Sequence, residues 1–187
     1  MPTHSTCSML RLLLFSLIAA FAIPSRAIAW EPWPEHGALR SATITWSAPP
    51  EVRDAVRAAF AEWGRVSGIS GVETASAPLL IIAFGDVGIA NTTAVVGCGA
   101  DGDGYLRGCT MTIDAGIWAR ATDAERLTVI LHEVGHAIGL GHGQECSVMS
   151  YVCHTEALSG DDGAGVRWIT ERIGLTYRQS VAALAFD

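Results

Sequence analysis

The 187-residue chain contains no lysine: all 12 of its basic residues are arginines, against 19 aspartates and glutamates, for a net charge of −7. An acidic chain so poor in cations lacks the electrostatic footprint of a partner for nucleic acid or an anionic membrane, so neither is expected. There is also no C-x-x-C pair, which argues against a zinc site built from cysteines. No internal repeat or low-complexity linker interrupts the chain. The apolar run at residues 12–23 is too short for a comfortable transmembrane helix.

That run reads instead as a secretory leader. Arg11 precedes it, and Ala27-Ile28-Ala29 supplies a small-x-small cleavage site, so residues 1–29 are expected to be a signal peptide. Residues 30–187 then suit a single domain with one core, with 175–187 as a loose tail. Loss of Arg11 and Arg26 with the leader makes the mature protein more acidic still. The expected location is secreted or periplasmic, with no membrane association after cleavage. Cys7 also leaves with the leader, so four of the five cysteines remain, an even number in an oxidising compartment. Three connectivities are open. Cys98 with Cys109 and Cys146 with Cys153 each close a short loop, and these are the expected bridges.

What the chain does have is concentrated between residues 132 and 151. His132-Glu133-Val134-Gly135-His136-Ala137-Ile138-Gly139-Leu140-Gly141-His142 follows the pattern H-E-x-x-H-x-x-G-x-x-H. On a helix, His132 and His136 lie one turn apart on one face, with Glu133 at its edge. Gly139 lets the chain leave the helix so that His142 returns as a third ligand. Three imidazoles leave the fourth tetrahedral position to water, the arrangement of a catalytic zinc ion. Glu133 is the candidate general base. Met149 follows seven residues beyond His142, and Tyr151 two residues later.

With Met149 as a Met-turn, the chain resembles the metzincin clan of zinc peptidases, and it is most similar to the matrixin family of secreted endopeptidases. The helix text at residues 127–142 and the stretch Leu158-Ser159-Gly160-Asp161-Asp162-Gly163 carry the matrixin likeness. Tyr151, two residues past the methionine, is similar instead to serralysins and astacins, where it reaches the zinc. The resemblance spans residues 38–173. It implies an α+β fold with a twisted mixed β-sheet and two helices above the cleft, and below it a small C-terminal subdomain with the Met-turn and one helix. It also implies one catalytic zinc, peptide or protein substrates and a monomer. An edge strand at residues 92–98 would pair with an extended substrate. Tyr151 would donate to the oxyanion or reach the zinc, and Met149 would pack beneath the imidazoles. Asp161 would hold the amine of a new N-terminus at Trp30, with Asp162 bonded into the Met-turn region or capping the last helix. Matrixins carry a second, structural zinc on further histidines. Only His36 and His154 are spare in the mature part, so that site is not expected. The alternative function is a zinc-holding, non-proteolytic interaction module of the same fold.

The rest of the chain is read from periodicity. Residues 42–46 alternate as a strand, and Pro49-Pro50 opens a helix with Val52, Val56, Phe60 and Trp63 on one stripe, ending in residues 64–71. Residues 79–84 are a continuous apolar run, of the kind covered on both faces of a sheet. Two strands near 93–97 and 110–114 flank a Gly-rich loop. There Asp101-Gly102-Asp103-Gly104 begins like a calcium loop, but Tyr105 and Thr112 stand where an EF-hand needs ligands. A turn is the preferred reading, and calcium is left open. Thr122-x-x-Glu125 and Ser159-x-x-Asp162 are capping boxes for the zinc helix and for a last helix ending near Gly174, whose buried face would be Val166, Ile169 and Ile173.

Overall fold

A stripe of Val56, Ala59, Phe60 and Trp63 drives the first helix onto the sheet, and each of these side chains is buried. The helix, α1 (Arg53–Ser67), stops at Gly68, whose φ of 77° is a left-handed value that glycine takes without cost. The computed structural model describes residues 36–143, 146–150 and 155–173. Around α1 the chain forms β1 (Thr43–Ser47), β2 (Ser70–Glu73), β3 (Leu80–Phe84), β4 (Ala94–Ala100) and β5 (Leu106–Ile113), then α2 (Ala115–Arg120), α3 (Asp123–Ile138) and α4 (Gly160–Thr170).

The strands make one mixed sheet in the order β2-β1-β3-β5-β4. β1, β2, β3 and β5 run parallel, and β4 returns antiparallel along the edge. The fold is thus α+β, with α1 and α3 on one face of a mixed sheet. Ile44, Trp46, Leu80, Ile82, Met111 and Ile113 face those helices and are buried with Ile130 and Val134 of α3. Trp63 donates its indole N–H to the Leu131 carbonyl at 3.0 Å, tying α1 to α3 one residue before His132.

Several expectations need correction. β3 is covered on one face only: Leu80 and Ile82 are buried while Ile81 is 46% exposed, because no helix among the described residues lies on the other side. β2 and α2 have no counterpart in the sequence pattern. β2 has four residues, and Gly71 belongs in it because Phe60 packs where a Cβ would stand. α2 has six residues, opened by Asp114, whose carboxylate accepts from Ile117 N–H. The two strands beside the Gly-rich loop are longer than expected and form a hairpin whose register shifts between Gly99 and Ala100. α4 ends at Thr170, short of Gly174; Val166 is buried, whereas Ile169 and Ile173 are only partly so. Residues 1–35, which include the expected signal peptide, residues 144–145, residues 151–154 with Tyr151, Cys153 and His154, and residues 174–187 lie outside the described residues.

Candidate metal centre

α3 starts from a complete capping box: Thr122 accepts from Glu125 N–H, and Glu125 Oε2 accepts from Thr122 N–H at 2.7 Å. Such a cap stabilises a helix by about 1 kcal/mol. At the other end Gly139 adopts φ 116°, and the N–H groups of Gly139 and Leu140 fold back onto the carbonyl of Gly135. A β-carbon is disfavoured at that φ, so glycine is what reverses the chain there. The reversal carries His142 round to face the last turn of the helix.

Three ring nitrogens meet as a result. His136 Nε2 lies 3.0 Å from His132 Nε2 and 3.1 Å from His142 Nε2. His132 donates its Nδ1–H to the Val148 carbonyl at 2.7 Å, and His136 donates its own to the Leu140 carbonyl at 2.7 Å. Donation from Nδ1 fixes the tautomer with the lone pair on Nε2. Three ring nitrogens meeting at one point, two of them with the lone pair fixed on Nε2, suit a cation placed between them. Zinc bonded tetrahedrally at about 2.0–2.1 Å holds its nitrogens roughly 3.3 Å apart, so this donor set fits zinc closely. Burial, followed by the neighbouring His132, lowers the His136 pKa to about 3, which keeps the ring neutral and able to ligate.

Glu133 stands beside the triad, only 7% exposed. Burial raises its pKa to about 7, partly offset by a hydrogen bond from the Val96 N–H of edge strand β4. Its Oε2 is buried and has no hydrogen-bond partner among the described residues. A divalent cation among the imidazoles favours the charged carboxylate and draws that pKa back down.

The floor of the site is built from 146–150 and α4. Met149 is fully buried and packs against Gly135, where a β-carbon would overlap its sulfur. Gly143 N–H donates to the Met149 carbonyl at 2.7 Å, closing the turn. Asp162, 1% exposed, accepts from the N–H groups of Val148 and Met149 at 3.2 Å each and from Ser159 at 2.8 Å. One carboxylate thus bonds both the turn at Val148 and Met149 and the start of α4. Asp161 lies in the first turn of α4, and Trp30, the residue expected to meet it, is outside the described residues.

Cys98 and Cys109 are bonded across the register of β4 and β5, with 4.0 Å between their Cα atoms. Cys153, the expected partner of Cys146, lies outside the described residues. The Asp101 loop is a turn: Asp101 accepts from its own Asp103 and Tyr105 N–H groups, and Arg40 supplies the cation at 2.9 Å. His36, set aside as spare in the sequence, is 2% exposed, and its Nε2 lies 2.8 Å from the carbonyl of Ala137 in the last turn of α3. Sequence reasoning also missed Val96, Val148 and Leu140, which act through main-chain groups. Among the described residues no helix is long and apolar enough to cross a membrane.

A profile of the matrixin family matches residues 38–170 of the chain. Comparison with curated protein sequences finds no match. Among solved structures, one titled as the GM1-bound form of the ECX AB5 holotoxin is 18% identical with a TM-score of 0.57, covering 76% of this chain and 88% of that one. Myroilysin is 16% identical with a TM-score of 0.50, covering 75% of this chain and 86% of that one. At such identities the likeness is one of fold.

Proposed function

The chain belongs to the matrixin family of zinc metallopeptidases, and we propose that it is a secreted endopeptidase hydrolysing internal peptide bonds of extended protein segments. The observation that carries this reading is the buried Oε2 of Glu133, without a hydrogen-bond partner among the described residues, beside three converging imidazole nitrogens. A non-proteolytic zinc module has no use for a desolvated carboxylate there, because its burial costs stability and holds no structure together.

His132, His136 and His142 would hold one zinc ion. When bound, zinc polarises the scissile carbonyl and makes water acidic enough to attack near neutral pH. Glu133 takes the proton of the attacking water and passes it to the leaving amine. Val96 N–H orients the Glu133 carboxylate for that exchange. β4 forms the sheet's edge, so its outer main-chain groups are placed to pair with a substrate strand running past the site. Tyr151 donates to the oxyanion, and Asp161 holds the amine of Trp30 once the leader, residues 1–29, is removed. A second bridge, Cys146 to Cys153, brackets the turn that carries Met149.

Cleavage of casein by the purified protein, with metal analysis, tests the reading. Glu133→Ala should retain one zinc per chain and lose hydrolysis, whereas His142→Ala should lose metal as well. Wild type carrying one zinc but cleaving nothing, or Glu133→Ala cleaving as well as wild type, rejects it in favour of an interaction module.

A further inference from the structure

Behind the zinc helix lies a second group of ligating atoms. His36, Cys98 and Cys109 bring one nitrogen and two sulfurs within 4.8 Å of one another, and the His36 and Cys109 side chains are buried. His36 Nε2 is 3.9 Å from Cys109 Sγ. The His36 ring is held as the two helix imidazoles are, with Nδ1 on a main-chain carbonyl, that of Gly37 at 2.6 Å. The Ala137 carbonyl can only accept, so His36 Nε2 donates to it at 2.8 Å, with Cys109 Sγ 3.9 Å away; a cation at Nε2 takes the place of that proton. Burial lowers the His36 pKa and so favours the neutral ring, although two carbonyl oxygens facing its two nitrogens call for a positive charge at Nε2. A proton meets that demand, and so does a metal ion.

We propose that His36, Cys98 and Cys109 form a site for one soft divalent cation, zinc by preference, whenever the Cys98–Cys109 bond is open. The bond and the ion are then alternative ways of fastening β4 to β5. Opening needs two electrons, which a phosphine or a dithiol supplies. A phosphine attacks Cys98 Sγ, the S–S bond breaks and its electron pair leaves on Cys109 Sγ. Water then releases Cys98 as a thiol and takes the phosphorus away as phosphine oxide. The cation displaces one proton from each thiol and the one on Nε2, binds both thiolates and takes the Nε2 lone pair. Cysteine and histidine are the donors zinc prefers, and three of them leave a fourth position to water. The missing C-x-x-C pair is no obstacle. Adjacent strands bring together two cysteines that are 11 residues apart in the chain.

The test is a cobalt(II) titration of the whole purified protein, oxidised and after phosphine reduction, following metal content and sulfur-to-cobalt charge-transfer absorption in the near ultraviolet. Reduced wild type should take one ion more per chain than oxidised wild type, with a thiolate band. His36→Gln should weaken that extra ion by about tenfold or more, and Cys98→Ser with Cys109→Ser should abolish both ion and band. Circular dichroism reports whether each reduced protein keeps its fold. If the double variant unfolds, Cys98→Ser alone, at the half-buried position, gives the same reading. Equal metal content in the oxidised and reduced proteins overturns the proposal. So does an extra ion that ignores His36→Gln, or a band that survives removal of both cysteines and so belongs to other thiols.

Discussion

Glu133 is held where the solvent gives it least help. With its pKa raised to about 7 in the folded protein from an ordinary 4.5, the metal-free fold prefers the neutral acid. Below pH 4.5 the folded and unfolded chains are both protonated, and the group costs nothing. As pH rises to 7 the unfolded chain ionises first and stability falls; above 7 the loss levels off at about 3 kcal/mol. Metal-free Glu133→Gln should therefore melt several degrees above metal-free wild type at pH 8, with the gap narrowing towards pH 5. His136, whose pKa is shifted down, contributes the opposite slope to both proteins and drops out of the difference. Scanning calorimetry at the two pH values checks this, and a gap that does not change with pH would mean that Glu133 is not ionised at a cost.

Among the elements, α4 matters to the site through one side chain. Asp162 collects three main-chain N–H groups from the Met-turn and its own helix start. Replacing it by alanine strands buried donors, so Asp162→Ala should cost at least about 3 kcal/mol, read as a lower urea midpoint, and should lower kcat through a displaced Met149. Ser159→Ala removes only the cap and should cost about 1 kcal/mol with kcat unchanged. Equal losses from the two would place Asp162 in the cap alone. The elements that the sequence announces are those with a period or a signal: the stripe of α1, the box at Thr122 and Glu125, and the exit at Gly139. β2 and α2 are shorter than the patterns used to find helices and strands, and β3 is apolar on both sides although only one is covered. The imidazole triad was legible because spacing on a helix fixes geometry. Its supports were not. Val148, Leu140 and Val96 act through peptide groups that every residue possesses, and His36 meets a carbonyl 101 residues away.

For the molecule as a whole, the three imidazoles join α3, the reversal at Gly139 and, through the Val148 carbonyl, the floor carried on α4. A cation bound only by the folded arrangement stabilises it by mass action, about 2.7 kcal/mol at a hundredfold excess over Kd. Chelation should therefore lower the melting temperature of wild type by several degrees and that of His142→Ala by little. Equal shifts would show that the ion stabilises some other part of the chain. The sheet has a consequence of its own, in the order of assembly. β4 and β5 are neighbours in the chain, joined by a short turn, whereas β1 must find β3 and β3 must find β5 across intervening helix and hairpin. Closing those loops costs entropy before any contact repays it, so the parallel pairings are the slow step, and the edge hairpin zips first. The edge strand β4 is therefore in place, and open to other chains, while the sheet that supports it is still forming.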